Sequence, residues 1–77
     1  MNAQTRKRLA ELSVAVSDIH SQVSEVADEE QEKMDNTPEA LQTSERYEAM
    51  SDAVDQLGRV ATALEEAESE LDDLSSK

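Results

Sequence analysis

Cysteine, phenylalanine and tryptophan are absent from this chain of 77 residues, and glycine, proline, tyrosine and histidine occur once each. Without cysteine there is no disulfide framework and no thiolate metal site. Without large aromatics, a compact core built on buried rings is excluded. No apolar run approaches the roughly 20 residues that a membrane span requires. The stretch MNAQTRKRLAELSVAV carries a basic cluster at residues 6–8 but no long apolar segment behind it, so it does not read as a secretory signal, and a cytoplasmic location is expected. Positive charge is scarce as well: 7 bases stand against 19 acids, a formal net charge of −12. Such a chain repels nucleic acid and anionic lipid, so neither direct nucleic-acid binding nor a membrane partner is expected. Seventy-seven residues make a single small domain, marginal as a monomer unless something staples it. Oligomerisation is the stabiliser that remains.

High charge and few aromatics are also the composition of disorder. The hydrophobic periodicity argues otherwise. Leu9, Leu12, Val16, Ile19, Val23 and Val26 follow one another at alternating spacings of three and four. Met50, Ala53, Leu57, Val60, Leu64, Ala67, Leu71 and Leu74 do the same. Both are heptad seams in which the first residue occupies position a and the second position d. The second seam is wider than two helices need. Tyr47, Val54 and Ala61 add a stripe at position e, and Ala15 and Ala27 flank the first seam. A face of a, d and e positions suits a helix that touches two neighbours.

Between the seams, DNTPE reads as stop, turn and start. Asn36 is expected to take a left-handed cap, Thr37 to cap a new helical turn, and Pro38 to open it. Thr43 or Ser44 is a second candidate cap, for the second arm. The expected layout is a single domain over residues 1–77: arm one over 2–33, a connector over 34–43 with a short helical turn at 38–42, and arm two over 44–75. Each arm would be about 48 Å long at ~1.5 Å per residue. In an antiparallel hairpin of that layout, residues whose numbers sum to about 77 lie level. Arg6, Lys7 and Arg8 would then stand beside Glu68, Glu70, Asp72 and Asp73 and offset them. One hairpin alone leaves a wide apolar face wet; two packed face to face make a four-helix bundle. The expected fold is therefore all-α, a coiled-coil-like antiparallel helical hairpin that dimerises into a four-helix bundle. The seam expected to carry the dimer is Leu9, Leu12, Val16, Ile19, Val23, Val26, Met50, Val54, Leu57, Val60, Leu64, Leu71 and Leu74.

Little chemistry can be built on this inventory. There is no nucleophile elbow, glycine-rich phosphate loop, HExxH or CxxC. A dimetal carboxylate bundle needs Glu-x-x-His, and Ser17 stands where its glutamate would precede His20. His20 at position e reads as a half-exposed residue at a bundle edge. An EF-hand loop starting at Asp28 would need glycine where Lys33 stands. No enzyme activity, cofactor or metal is expected.

The acids themselves remain. They concentrate at the hinge, where Asp28, Glu29, Glu30, Glu32, Asp35 and Glu39 form the candidate partner-facing surface, and at the far end near residues 65–73. A dimer would carry a net charge of −24, twice that of the chain. Spread over about 48 Å, that is one charge per ~2 Å, near the ~1.7 Å of duplex DNA. A basic, DNA-binding protein could be drawn to such a rod.

The hinge, DEEQEKMDNTPEALQTSERYEAM over residues 28–50, resembles the central segment of a group of small acidic helical proteins encoded by bacteriophages and prophages. Their shared pattern is D-E-E-Q-E-x-x-D-N-x-P-E-x-L-Q-x-S-E-R-x-E-x-M. It covers less than a third of the chain, and the arms match only in type. The resemblance implies a phage or prophage origin, hence a host-cell cytoplasm, and brings no catalytic residues. It also marks Gln31, Leu41, Gln42, Ser44, Glu45 and Arg46. Structurally, Leu41 would tuck over the seam and Arg46 would pair with Glu30 or Glu32; alternatively, the hinge is a partner's contact surface. The sequence thus points first to a non-enzymatic protein–protein interaction module acting as a homodimer. A DNA-mimic inhibitor of a host DNA-binding protein, of the anti-defence or anti-restriction kind, is the alternative. A helical structural adaptor is a third.

Overall fold

The computed structural model describes residues 1–77. Two α-helices, α1 (Ala3–Asp35) and α2 (Glu45–Ser75), pack against each other as an antiparallel hairpin, with a short 3-10 turn (Glu39–Leu41) between them and no strand. The molecule is a rod, 59 × 14 × 12 Å between Cα extremes.

Local chemistry sets each boundary. Asn2 starts α1: its side-chain oxygen accepts from the Thr5 amide at 2.8 Å and satisfies one of the first-turn donors. At the other end the Asn36 amide still donates to Glu32 at 3.0 Å, and the Thr37 hydroxyl donates to the Lys33 carbonyl at 2.8 Å. Pro38, extended at φ −57° and ψ 142° and lacking an amide proton, prevents continuation. Ser44 then does two jobs. Its hydroxyl donates to the Leu41 carbonyl at 2.8 Å and accepts from the Tyr47 amide at 3.2 Å, so it closes the connector and opens α2.

The connector differs in detail from the expectation. Asn36 sits at φ −89° and ψ 0°, not in the left-handed region, and no residue of the chain has a positive φ. Thr37 points its hydroxyl back to α1 rather than forward, because the last carbonyls of α1 lack partners. Leu41 does not tuck over the seam; it is 54% exposed. Arg46 makes no ion pair with Glu30 or Glu32, since Glu30 is held by Lys33 at 3.0 Å within the same helix.

Register is the second correction. The Ser13 hydroxyl reaches the Asp72 carboxylate and the Glu68 carbonyl, and Arg6 donates to the Lys77 carbonyl. Level residues therefore sum to about 82, not 77, an offset of roughly 7 Å along the axis at ~1.5 Å per residue. The connector occupies residues 36–44, later than expected, which carries the crossing point with it. With that shift Arg6, Lys7 and Arg8 form no ion pair with Glu68, Glu70, Asp72 or Asp73; the one ion pair in the molecule is Lys33 with Glu30.

Within the hairpin the packed stripe of α1 is Leu9, Ser13, Val16, His20, Val23, Ala27 and Met34, all half-buried or buried. That of α2 is Tyr47, Met50, Val54, Leu57, Ala61, Leu64 and Leu71. Both run through positions a and e. Only Ser13, 4% exposed, and Met34, 8% exposed, are buried, and no side chain is wholly enclosed. Small residues at Ser13 and Ala27 alternate with Leu9, Val16 and Val23, so the ridges of one helix can enter the grooves of the other.

Candidate functional site: an unpartnered apolar face

Position d is left over. Leu12, Ile19, Val26, Val60 and Leu74, all expected in a seam, are exposed; Ile19 shows 48% of its surface. Leu9, Val16, Val23, Met50, Val54, Leu57, Leu64 and Leu71 are half-buried between α1 and α2.

In each helix position d follows position a by three residues. At about 100° per residue this turns it some 80° away from the centre of the packed stripe. Because α1 and α2 run in opposite directions, equal rotations carry both d stripes to the same side. Leu12, Ile19 and Val26 thus share a face with Ala53, Val60, Ala67 and Leu74. Lys33 and Arg46, the next d positions toward the connector, line one hollow together, as this geometry requires. In the observed register the two stripes interleave. Leu12 falls between the levels of Ala67 and Leu74, Ile19 between Val60 and Ala67, and Val26 between Ala53 and Val60.

The flanks of this face are neutral. Ala15 and Gln22 border the α1 stripe, and Gln56 and Ala63 border the α2 stripe, all of them exposed. From Leu12 to Val26, and from Ala53 to Ala67, neither the stripe nor its outer flank carries a charge. That is in a chain whose residues are 34% charged. A shallow hollow lined by Ala53, Gln56, Leu57 and Val60 lies on this face.

The opposite face is the chemical reverse. Ser17, His20, Glu65, Glu68, Ser69 and Asp72 line one hollow there, and Ser13, Val14, Asp18 and Ser21 extend it. The buried Ser13 hydroxyl donates to Asp72 Oδ1 at 2.6 Å, so its burial is satisfied. No group of three or more His, Asp or Glu side chains converges as metal ligands.

At the hinge, Asp28, Glu29, Glu32, Asp35 and Glu39 are exposed and Glu30 is half-buried. Asp35 accepts from Gln31 at 3.0 Å. The Lys33 ammonium is pushed above its ordinary value, first by its hydrogen bond to Glu30 and then by the Glu30 charge, against an opposing desolvation, with the Glu29 charge adding least. Beside these acids, Pro38, Leu41, Tyr47 and Met50 line a hollow of about 570 Å³ with Lys33 and Arg46 at its edge. No helix is long and apolar enough to cross a membrane.

Sequence reasoning missed that Ser13, His20 and Ala27, not Leu12, Ile19 and Val26, complete the α1 side of the hairpin. The clue was available in α2, whose apolar e stripe asks for a partner helix packed through a and e. No protein-family model, curated protein or solved structure matches this chain.

Proposed function

We propose that this protein is a non-enzymatic protein–protein interaction module, a homodimer in which two hairpins join through their position-d faces as a four-helix bundle. The observation that carries this reading is the uncharged, apolar face in a strongly acidic chain. Charge is cheap to place on a solvated surface, so its exclusion from one face indicates a surface that is desolvated in use.

Area supports the same reading. A compact protein of 8.5 kDa exposes about 4,700 Å² by the usual size scaling, whereas this chain exposes 5773 Å². The excess of roughly 1,100 Å² exceeds the ~800 Å² that each partner contributes to a standard interface. With only two residues buried, the hairpin alone has little to hold it, and a dimer supplies the missing burial. The hinge pattern supports a phage or prophage origin, with the host cytoplasm as the place of action.

A second reading concerns what the dimer offers outward. Its net charge of −24 over a rod of 59 Å amounts to one charge per about 2.5 Å. This density supports the mimicry of DNA toward a basic, DNA-binding protein, with the exposed hinge acids as the contact. Such binding would weaken steeply with salt.

Light scattering at low and high salt, with far-UV circular dichroism on the same sample, tests the first reading. A helical species of twice the chain mass at both salts is expected. A species of chain mass, or an unfolded one, overturns it and leaves the face to a different helical protein, as a structural adaptor would require.

A further inference from the structure

We infer that the two hairpins join antiparallel, the hinge of one copy against the open end of the other, about a two-fold axis passing through Ile19. This rests on the homodimer reading above and adds the orientation that the sequence leaves open. The occupant of the apolar face is a second copy of this chain, and the register, the side-chain sizes and the charges each select one arrangement of it.

Register comes first. The apolar stripe runs from the level of Leu74 and Leu12 to that of Val26 and Ala53, and Ile19 lies at its middle. A two-fold axis at Ile19 brings Ile19 against its own copy and Leu12 against the partner's Val26. Carried through the observed α1–α2 register, the same axis sets Val60 against the partner's Ala67 and Leu74 against the partner's Ala53. One axis thus serves both helices, to within about one residue or ~1.5 Å. On α2 it pairs large with small side chains throughout, which is how facing layers interdigitate without voids.

Charge selects the same arrangement. Arg8 and Glu29 occupy the same outer flank of α1, at opposite ends of its neutral stretch. The axis at Ile19 places each against the other's copy, giving two cross-copy ion pairs at the rim. Residues 20–63, the hinge half, hold eleven acids and three bases, a net of −8. The remaining residues hold eight acids and four bases, a net of −4. Antiparallel pairing sets each −8 half against a −4 half. Hinge-to-hinge pairing would set Arg8 between the levels of the partner's Glu70 and Lys77, one of each charge. It would also leave Glu29 facing uncharged residues and stack the two −8 halves within a Debye length of ~8 Å.

The test uses the full chain, which has no native cysteine. Thr43→Cys lies in the exposed connector and accepts a nitroxide label without disturbing a helix. Pulsed dipolar spectroscopy then measures the distance between the two labels in the dimer. Antiparallel pairing places them roughly 60 Å apart, from ~1.5 Å per residue on either side of Ile19, and hinge-to-hinge pairing about 20 Å apart. The longer distance is expected. The shorter one, on a sample of dimer mass, overturns the orientation while leaving the dimer standing. A sample of chain mass overturns the dimer and the orientation together. A second variant, Ile19→Cys, should oxidise to a disulfide-linked dimer, because residue 19 meets itself only in the antiparallel arrangement. A dimer whose residue 19 stays reduced contradicts the axis.

Discussion

Rotating the hairpin half a turn about its long axis exchanges one surface chemistry for its opposite. On one side lie Leu12, Ile19, Val26, Val60 and Leu74 with alanine and glutamine beside them. On the other lie Ser17, Ser21, Glu65, Glu68 and Asp72. Both sides flank the same packed stripe, and the polar side also joins the two helices through the Ser13–Asp72 hydrogen bond. The contrast teaches that the hairpin's own packing uses two of three apolar heptad positions and leaves the third exposed. Helices that touch two neighbours carry this wider stripe.

The largest way to break the contrast is to charge the apolar side. Ile19→Asp should lower dimer affinity at least 100-fold, because association would bury an unpaired carboxylate, at several kcal/mol per copy. Ser21→Asp, exposed on the other side, should leave association within about threefold of the parent, a solvated surface change being worth ~0.5 kcal/mol or less. Sedimentation equilibrium on the two variants compares the faces directly.

A smaller effect is expected between the faces, at the packed stripe. Ser13→Ala removes the hydroxyl that joins α1 to Asp72 and should cost about 1 kcal/mol of stability, read from the urea midpoint. Opposite in sign, Gly58→Ala should stabilise α2 by roughly 0.5–1 kcal/mol, because glycine is a poor helix former. A methyl group there meets nothing within 4 Å. A destabilised Gly58→Ala variant would mean that position is covered in the assembled protein.

The smallest effect sits at the hinge. The folded-state value of Lys33 is raised, so its pair with Glu30 contributes fully below the ordinary lysine value of 10.5. That contribution is lost as pH rises through the higher folded value. A lysine-selective NMR titration should show Lys33 deprotonating above the ordinary lysine value, and Glu30→Gln should lower its midpoint.

Much of the fold can be read from residues alone. Two heptad runs separated by DNTPE specify two helices and a turn, and Ser44 marks the start of α2 because its hydroxyl can serve the Tyr47 amide. What could not be read was the choice between d and e on α1. Leu12, Ile19 and Val26 are the more apolar set, yet the hairpin packs through Ser13, His20 and Ala27. Hydrophobicity ranks residues by how much they gain from burial somewhere, not by which neighbour buries them. The register was also hidden. It depends on where the connector turns, and Asn36 and Thr37 keep α1 helical for longer than a left-handed cap would allow. Leu41 stays exposed beside Pro38 and Tyr47, and nothing within the hairpin accounts for it.

Ile19 is the chain's one isoleucine, so its δ1 methyl gives an unambiguous NMR signal. The most direct test of the account is the attenuation of that signal by a soluble paramagnetic probe, with the methyls of Val14, 71% exposed outside the apolar face, as the internal reference. A covered apolar face requires the Ile19 signal to persist at probe concentrations that erase Val14. Equal attenuation of the two, at protein concentrations where the chain is fully helical, would contradict it.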